Sequence, residues 1–274
     1  MQFGGAWTEE KLGILERYLD AYTTALKSTP FKLVYIDAFA GTGLIDLQED
    51  RDAVGFRGGS TRRAIQIRDK PFDELVFIEK DPARCAHLEK LRDEYPGRRI
   101  TVENSEANSS LCDLRKDWRT WRGVLFLDPF ATEVEWSTIK AIADFQALDT
   151  WILFPVSAIV RMLPRSRKPD DISPGWVSRL TRVFGDQSWR ELYTQSPQRN
   201  LFGDSGSERQ SGVDGLVSIY KKNLERLFGQ RFLSTSRRLK TSTGSPLFEF
   251  MFCVGNPRGI GPATRIAGHI LDRM

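Results

Sequence analysis

The sequence predicts an α/β fold: a doubly wound, mostly parallel sheet closed by a C-terminal antiparallel hairpin, with a mainly helical insertion. Three observations predict it. Short apolar runs alternate with helical patterns from Lys32 to Pro155. Three of those runs end in an acid, at Asp37, Glu79 and Asp128. Two further strand-like runs follow near the end, Arg231–Leu239 and Pro246–Val254, separated by the turn-forming stretch Lys240–Ser245.

Each element has a local reason. An N-terminal helix is expected over 8–28. Leu12, Leu15, Leu19, Tyr22 and Leu26 recur at helical spacing, Thr8 offers a cap, Glu9 and Glu10 suit the first turn, and Pro30 ends it. Lys32–Asp37 is a buried strand running into a glycine-containing turn. Residues 45–59 are polar and read as an inserted loop, after which Ser60-Thr61 opens a helix through Ile67. Glu74–Glu79 is the second strand. Asp81-Pro82 starts the helix that runs to Glu94, with a cap followed by proline at the first helical position. Arg99–Glu103, Gly123–Asp128 and Thr150–Pro155 supply the next strands, with helices over 109–121 and 136–146.

Residues 156–211 break the alternation with Pro, Ser and Arg. They read as a helical, substrate-selecting elaboration that ends in a flexible loop at NLFGDSGSERQSG. Val213–Phe228 and Thr264–Asp272 are helical, and the whole of 1–274 is expected to form one domain.

Composition is that of an ordinary globular protein, with 40% hydrophobic and 28% charged residues. No apolar run is long enough for a membrane span, and the first residues do not read as a signal peptide, so a cytoplasmic location is expected. Cys85, Cys112 and Cys253 are an odd and scattered set, which argues against a disulfide framework. With only His87 and His269 beside them, neither a zinc site nor Cys/His or Ser/His catalysis is favoured. The net charge of +4 and pI near 9.0 come from local clusters: Arg57, Arg62 and Arg63; Arg161, Arg165, Arg167 and Lys168; Arg231, Arg237, Arg238 and Lys240. Such clusters suit a nucleic acid, or are simply a solvated basic surface.

In an open α/β sheet a ligand lies beyond the carboxyl ends of the strands, near the point where strand order reverses. Asp37-Ala38-Phe39-Ala40-Gly41-Thr42-Gly43 stands there. Gly41 and Gly43 allow a tight turn and a close approach to a ligand. Asp37 at the head of the loop repels a pyrophosphate and attracts a cationic amino group. The third glycine of a dinucleotide fingerprint is absent, and no Walker sequence occurs. Glu79, with Lys80 beside it, can accept hydrogen bonds from ribose hydroxyls, at about twice the usual interval because of the 45–59 insertion. Glu106 can accept from an adenine amino group with Asn108 nearby; equally, Asn108 or Ser109 caps the next helix. In Asp128-Pro129-Phe130 the carboxylate can accept an N–H from a planar amine, while the ring can stack on a base.

At these residues the chain resembles the class I S-adenosylmethionine-dependent methyltransferases, whose sheet is Rossmann-like. DAFAGTG, IEKD and LDPF are similar to the enzymes that methylate base amino groups in ribosomal RNA and DNA. More specifically, WTEEKLGILERYLDAY, YIDAFAGTG, GGSTRRAI, LVFIEKDP, GVLFLDPF and TRIAGHILDRM resemble the three-Cys-motif partner protein (TcmP) family over nearly the whole chain. The resemblance implies S-adenosylmethionine as cofactor, with Asp37, Gly41, Gly43, Glu79 and Glu106 lining its pocket. It also implies that Asp128, Pro129 and Phe130 occupy the amine-methylation position. The family's name implies a partner protein with a three-cysteine motif, unrelated to the three cysteines here. One departure stands out: the second proline of the amino-methyltransferase motif is missing, so Phe130 follows Pro129 directly.

The leading expectation is a methyltransferase acting on a nucleobase nitrogen in RNA or DNA. A non-catalytic module that senses the cofactor or grips nucleic acid is the first rival, motivated by the shortened Asp128 motif. A nicotinamide-dependent oxidoreductase is the second, weakened by the missing glycine and by Asp37.

Overall fold

Strand side chains alternate between the two faces of a sheet, so residue parity decides which helical layer each one meets. The computed structural model of the protein describes residues 6–45, 57–163, 169–199, 205–209 and 212–273. The first half contains α1 (Ala6–Leu26), β1 (Lys32–Asp37), β2 (Leu44–Ile45), β3 (Arg57–Gly58), α2 (Ser60–Ile65), β4 (Glu74–Glu79), α3 (Pro82–Asp93), β5 (Ile100–Asn104), α4 (Ala107–Cys112) and β6 (Trp121–Leu127). The second half contains α5 (Trp136–Phe145), β7 (Leu148–Phe154), α6 (Val156–Met162), α7 (Pro174–Phe184), β8 (Tyr193–Arg199), β9 (Ser205–Arg209), α8 (Val213–Phe228), β10 (Phe232–Lys240), β11 (Pro246–Cys253) and α9 (Ile260–Asp272).

Seven strands form one sheet in the order β10-β11-β7-β6-β1-β4-β5. The five from β7 to β5 are parallel, and β11 is antiparallel to both of its neighbours. This is the expected α/β architecture, a mostly parallel sheet closed by a C-terminal antiparallel hairpin. From β1 the chain winds outward through β4 and β5, then returns to the other side at β6 and β7. The switch point therefore lies between β1 and β6.

Parity sorts the core into two halves. Leu33 and Tyr35 of β1, Leu75 and Phe77 of β4, and Val124 and Phe126 of β6 pack with α1, α2, α3 and α9. Val34, Ile36, Val76, Ile78, Leu125 and Leu127 point the other way, onto α4 to α8. Near-continuous apolar runs are what such doubly covered strands require. The insertion joins this second half through Ile172, Leu180, Val183, Phe184, Trp189 and Leu192.

Three expectations change. Helix α1 begins by Ala6, so Thr8 lies inside it and is buried instead of capping it. The helix expected over 109–121 stops at Cys112. There Asp117 accepts from the backbone N–H of Arg119 and the hydroxyl of Thr120, a local turn that competes with helix. The elaboration does not end in an irregular loop throughout: β8 and β9 pair antiparallel, Tyr193 opposite Arg209 and Arg199 opposite Ser205. The remainder of that tract, with 46–56 of the expected inserted loop, lies outside the described residues. Among the described residues no helix is long and apolar enough to cross a membrane.

One polar contact inside the apolar half fixes α1 to the sheet. The Tyr18 hydroxyl donates to Asp149 Oδ2 at 2.6 Å, and the Gly255 N–H donates to Asp149 Oδ1 at 2.7 Å. Burial pushes the Asp149 carboxyl up to about 6, while these two bonds pull the other way. The folded state thus holds the proton more tightly than the unfolded chain. Its stabilising contribution is complete below the ordinary carboxyl range and is lost as pH rises through about 6. A rise of about two pH units is equivalent to about 3 kcal/mol. Asp149→Asn keeps a carbonyl acceptor without the charge. It should melt several degrees higher than the parent at pH 7.5, with the gap closing toward pH 4; differential scanning calorimetry across that range checks this.

Candidate functional site

The same parity gathers the strand-end acids. Asp37 continues the Leu33–Tyr35 series, Glu79 the Leu75–Phe77 series and Asp128 the Val124–Phe126 series. All three carboxylates therefore lie at the carboxyl edge on the α1, α2 and α3 side, flanking the switch point. Asp37 pairs in register with Phe126, which places Asp128 just beyond it on the neighbouring strand.

Between them runs the loop 38–43. It straddles two strand ends: Ala38 N–H donates to Phe126 O at 3.1 Å and Ala40 N–H to Ile78 O at 3.0 Å. Ala38, Ala40 and Gly43 are buried, while Phe39, Gly41 and Thr42 are half-buried. Gly41 has φ +62° and Gly43 φ +73°, the left-handed region that favours glycine. They differ in surroundings. A Cβ on Gly41 would meet nothing within 4 Å, whereas one on Gly43 would stand 2.9 Å from Thr61 Oγ1 and 3.0 Å from Leu91 Cδ2. Gly41 thus faces open space and Gly43 is packed.

The loop is braced by the very acids expected to meet a ligand. Glu79 is buried; its Oε2 accepts the Gly41 N–H at 3.0 Å and its Oε1 the Asp81 N–H at 2.9 Å. Each oxygen keeps a further lone pair. Asp37 is wholly buried, and its Oδ2 accepts the Ser60 hydroxyl at 2.5 Å and the Tyr35 hydroxyl at 3.1 Å. Burial pushes the Asp37 carboxyl up to about 6; Ser60 and Tyr35 oppose that shift, and the negative Asp128 adds to it. Asp37 therefore acts on the loop through Ser60 and on a ligand through its field.

In the sequence GGST reads only as a helix start. In the structure it clamps the loop: Gly59 N–H donates to Gly43 O at 3.1 Å, Ser60 holds Asp37, and the buried Thr61 hydroxyl beside Gly43 has no hydrogen-bond partner among the described residues.

A second residue has no place among the sequence candidates. Lys11 of α1 forms an ion pair with Asp128 Oδ2, its side chain 7% exposed against 23% for Asp128. The ammonium lies 5.2 Å from the Trp7 ring centre and 5.8 Å from that of Phe126. A signal exists: Lys11 continues the buried stripe Leu15, Tyr18 and Tyr22, where a lysine needs a reason.

The remaining candidates knit the loops together. Asn108 uses all four hydrogen-bonding positions within the protein. Its Nδ2 donates to Glu106 Oε1 and Glu133 O, and its Oδ1 accepts from the Glu135 N–H and the Thr138 hydroxyl. The cap of α4 is Glu106, accepting the Ser109 N–H at 3.1 Å, and neither Asn108 nor Ser109 fills that place. Glu133 accepts the Phe130 N–H at 2.9 Å and pairs with the exposed Lys80 at 2.5 Å; that partner raises the Lys80 ammonium above its usual range. Phe130 is 59% exposed beside Pro129. Behind Pro129 lies a narrow apolar cleft between Thr132, Phe154, Val183 and Tyr220, with room for little more than one water molecule.

The basic clusters are largely balanced by acids where they are described. Arg62 pairs with Glu94, Arg63 with Glu9 and Glu16, Arg237 with Glu10, and Arg238 with Asp214 and Glu249. Arg161 is exposed, and Arg165, Arg167 and Lys168 lie outside the described residues.

No protein-family profile matches the chain, and no curated protein matches it in sequence. Among solved structures, LPL1258 of Legionella pneumophila, assigned to DUF519, matches with a TM-score of 0.57 at 13% identity, over 98% of this chain and 92% of that one. That likeness shows the fold. Looser likenesses include Trm1 from Pyrococcus horikoshii in complex with S-adenosyl-L-methionine, with a TM-score of 0.37 at 10% identity over 95% of this chain and 58% of that one. Another is an S-adenosylmethionine-dependent methyltransferase from Clostridium acetobutylicum, with a TM-score of 0.36 at 10% identity over 88% of this chain and 92% of that one.

The two glycines should respond differently to alanine. Gly41→Ala should cost only the left-handed backbone penalty, about 1–2 kcal/mol. Gly43→Ala adds overpacking against Thr61 and Leu91, roughly 1–3 kcal/mol more. Urea unfolding of both variants checks the order, which equal losses would contradict.

Proposed function

We propose that this protein is an S-adenosylmethionine-dependent methyltransferase acting on a nitrogen of a nucleobase in RNA or DNA. One observation carries the reading: an open left-handed glycine, Gly41, stands at the switch point among three carboxylates that share one face. The residues present fit the cofactor. The space over Gly41 admits close backbone approach, the orphaned Thr61 hydroxyl offers a polar contact, and Glu79 keeps acceptor capacity for ribose hydroxyls. Asp37, which has no cation beside it among the described residues, gives the pocket the negative field that a ligand with cationic groups and no phosphate needs. Asp37, Gly41, Gly43 and Glu79 would hold the cofactor, with Ala38, Phe39, Ala40 and Thr42 as the loop between. Lys80, Glu106 and Asn108 would support its far side.

The cofactor supplies an electrophilic methyl on a sulfonium. Passing that methyl to an acceptor nitrogen would leave S-adenosylhomocysteine as the departing group and one proton from the nitrogen, released to water. Asp128 accepts an N–H from that amine, orients it, and stabilises the positive charge that develops on nitrogen. Phe130 offers a stacking face. Arg161, Arg165, Arg167 and Lys168, with Arg62, Arg63, Arg237 and Arg238, are the basic residues we assign to a polynucleotide.

A second reading, a non-catalytic cofactor-sensing or nucleic-acid-binding module, has one observation in its favour: Lys11 already occupies an oxygen of Asp128.

Tritiated S-adenosylmethionine incubated with the protein and with total RNA or genomic DNA separates the two readings. Incorporation that falls about 100-fold or more in Asp128→Ala is expected. Cofactor binding without incorporation into either nucleic acid would favour the second reading. The Asp37 carboxyl adds a pH signature, because an ionised Asp37 attracts the cationic ligand. Calorimetric affinity for S-adenosylmethionine should be level above neutrality and weaken as pH falls through about 6, and Asp37→Asn should remove that dependence.

A further inference from the structure

We propose that Lys11 is a positioning residue of this site: its ammonium fixes Asp128 from the buried side, so that the other side of the carboxylate meets the methyl acceptor. The proposal rests on the methyltransferase reading above.

The geometry separates this role from that of a plug that withdraws. Lys11 approaches Asp128 from beneath, its side chain 7% exposed, while Asp128 at 23% keeps an open side. Its ammonium also lies over the Trp7 and Phe126 rings. The helix that carries it is fastened on both flanks. Arg63 of α2 pairs with Glu9 and Glu16, and Arg237 of β10 pairs with Glu10. Seven residues beyond Lys11, Tyr18 is bound to Asp149. A lysine on such a support is a standing part of the site.

Electrostatics supplies the reason for it. The ionisable groups around Asp128 are Lys11 on α1, Asp37 and Tyr35 on β1, and the Glu133–Lys80 pair on the loop beyond. Asp37 and Asp128 repel as like charges, and that repulsion adds to the upward push on the buried Asp37 carboxyl. A protonated Asp128 could neither accept the amine N–H with both oxygens nor stabilise charge growing on nitrogen. The Lys11 ammonium offsets that repulsion and holds one oxygen in place. In the transfer itself Lys11 exchanges no proton and forms no bond.

The test uses the full chain and two readouts. Carbon-13 NMR of protein labelled at aspartate carboxyls follows the Asp128 titration in the parent, Lys11→Met and Lys11→Arg, each checked by its melting curve. Tritiated S-adenosylmethionine with total RNA or DNA follows transfer against pH. The expected result is an Asp128 titration raised by about one pH unit or more in Lys11→Met. The acidic limb of the transfer profile should move with it, the loss should fall on kcat more than on the KM for S-adenosylmethionine, and Lys11→Arg should restore both. Should Lys11→Met fail to fold, Lys11→Gln takes its place. An Asp128 titration unmoved by loss of the ammonium overturns the proposal, as does transfer by Lys11→Met at the parent rate. A parent that transfers no methyl group while the titration still moves overturns the methyltransferase reading, and the catalytic part of this proposal with it.

Discussion

Helix α1 is laid across the sheet and held at both edges by a polar contact within an otherwise apolar interface. At the carboxyl edge Lys11 meets Asp128; at the amino edge Tyr18 meets Asp149. Between them Ile14, Leu15 and Tyr18 pack on Trp151 and Phe252. Apolar packing alone leaves a helix free to slide by small steps, because it is non-directional. Two buried polar contacts fix the register, because displacing either would strand a charge or a hydroxyl away from water. The position of the candidate site relative to the first helix is thus set by interactions on both sides of the sheet centre.

That constraint explains why the site has the composition it does. Asp37 and Asp149 are both wholly or nearly buried and both titrate near 6, each costing stability at neutral pH. Neither is balanced by a cation of its own; Asp37 has hydroxyls and a backbone N–H, Asp149 a phenol and a backbone N–H. Asp128 differs, with a full counter-charge and partial exposure. Three carboxylates on one face are therefore in three settings: buried and raised at Asp37, buried and bonded to backbone with Arg84 3.8 Å away at Glu79, and ion-paired at the rim at Asp128. Such divergence within one cluster is a feature that functional sites share.

Much of this is legible in the sequence. The apolar runs of the parallel strands and the acids at their ends locate the sheet and its functional edge, because a doubly covered strand must be apolar up to the point where it leaves the core. Parity along each run even indicates that the three acids share a face. What the sequence hides is of two kinds. Lys11 and Ser60 lie far from the acids they bind, and only the folded chain brings them together. The turn at Asp117 and the β8–β9 hairpin are decided by local backbone bonding against helical or irregular alternatives, a contest that composition does not reveal. Asn108 illustrates a third limit: its position is conspicuous in the sequence, but a side chain with all four bonds used inside the protein braces the loops around a site more than it reads a ligand.

The placement of α1 also bears on the order in which the molecule can be completed during synthesis. Helix α1 finds several of its partners late in the sequence: Trp7 against Phe248, Tyr18 against Phe252, Glu10 against Arg237, and α9 alongside. Until β10 and β11 have been made, the part of the receiving surface that Arg237, Phe248 and Phe252 supply is missing, although α2 and β7 already offer Arg63, Asp149 and Trp151. The glycine loop and the strands that carry the acids can pair earlier, among themselves. The loop 38–43 and its acids can thus be in place before Lys11 joins Asp128, so a helix early in the sequence completes that contact late.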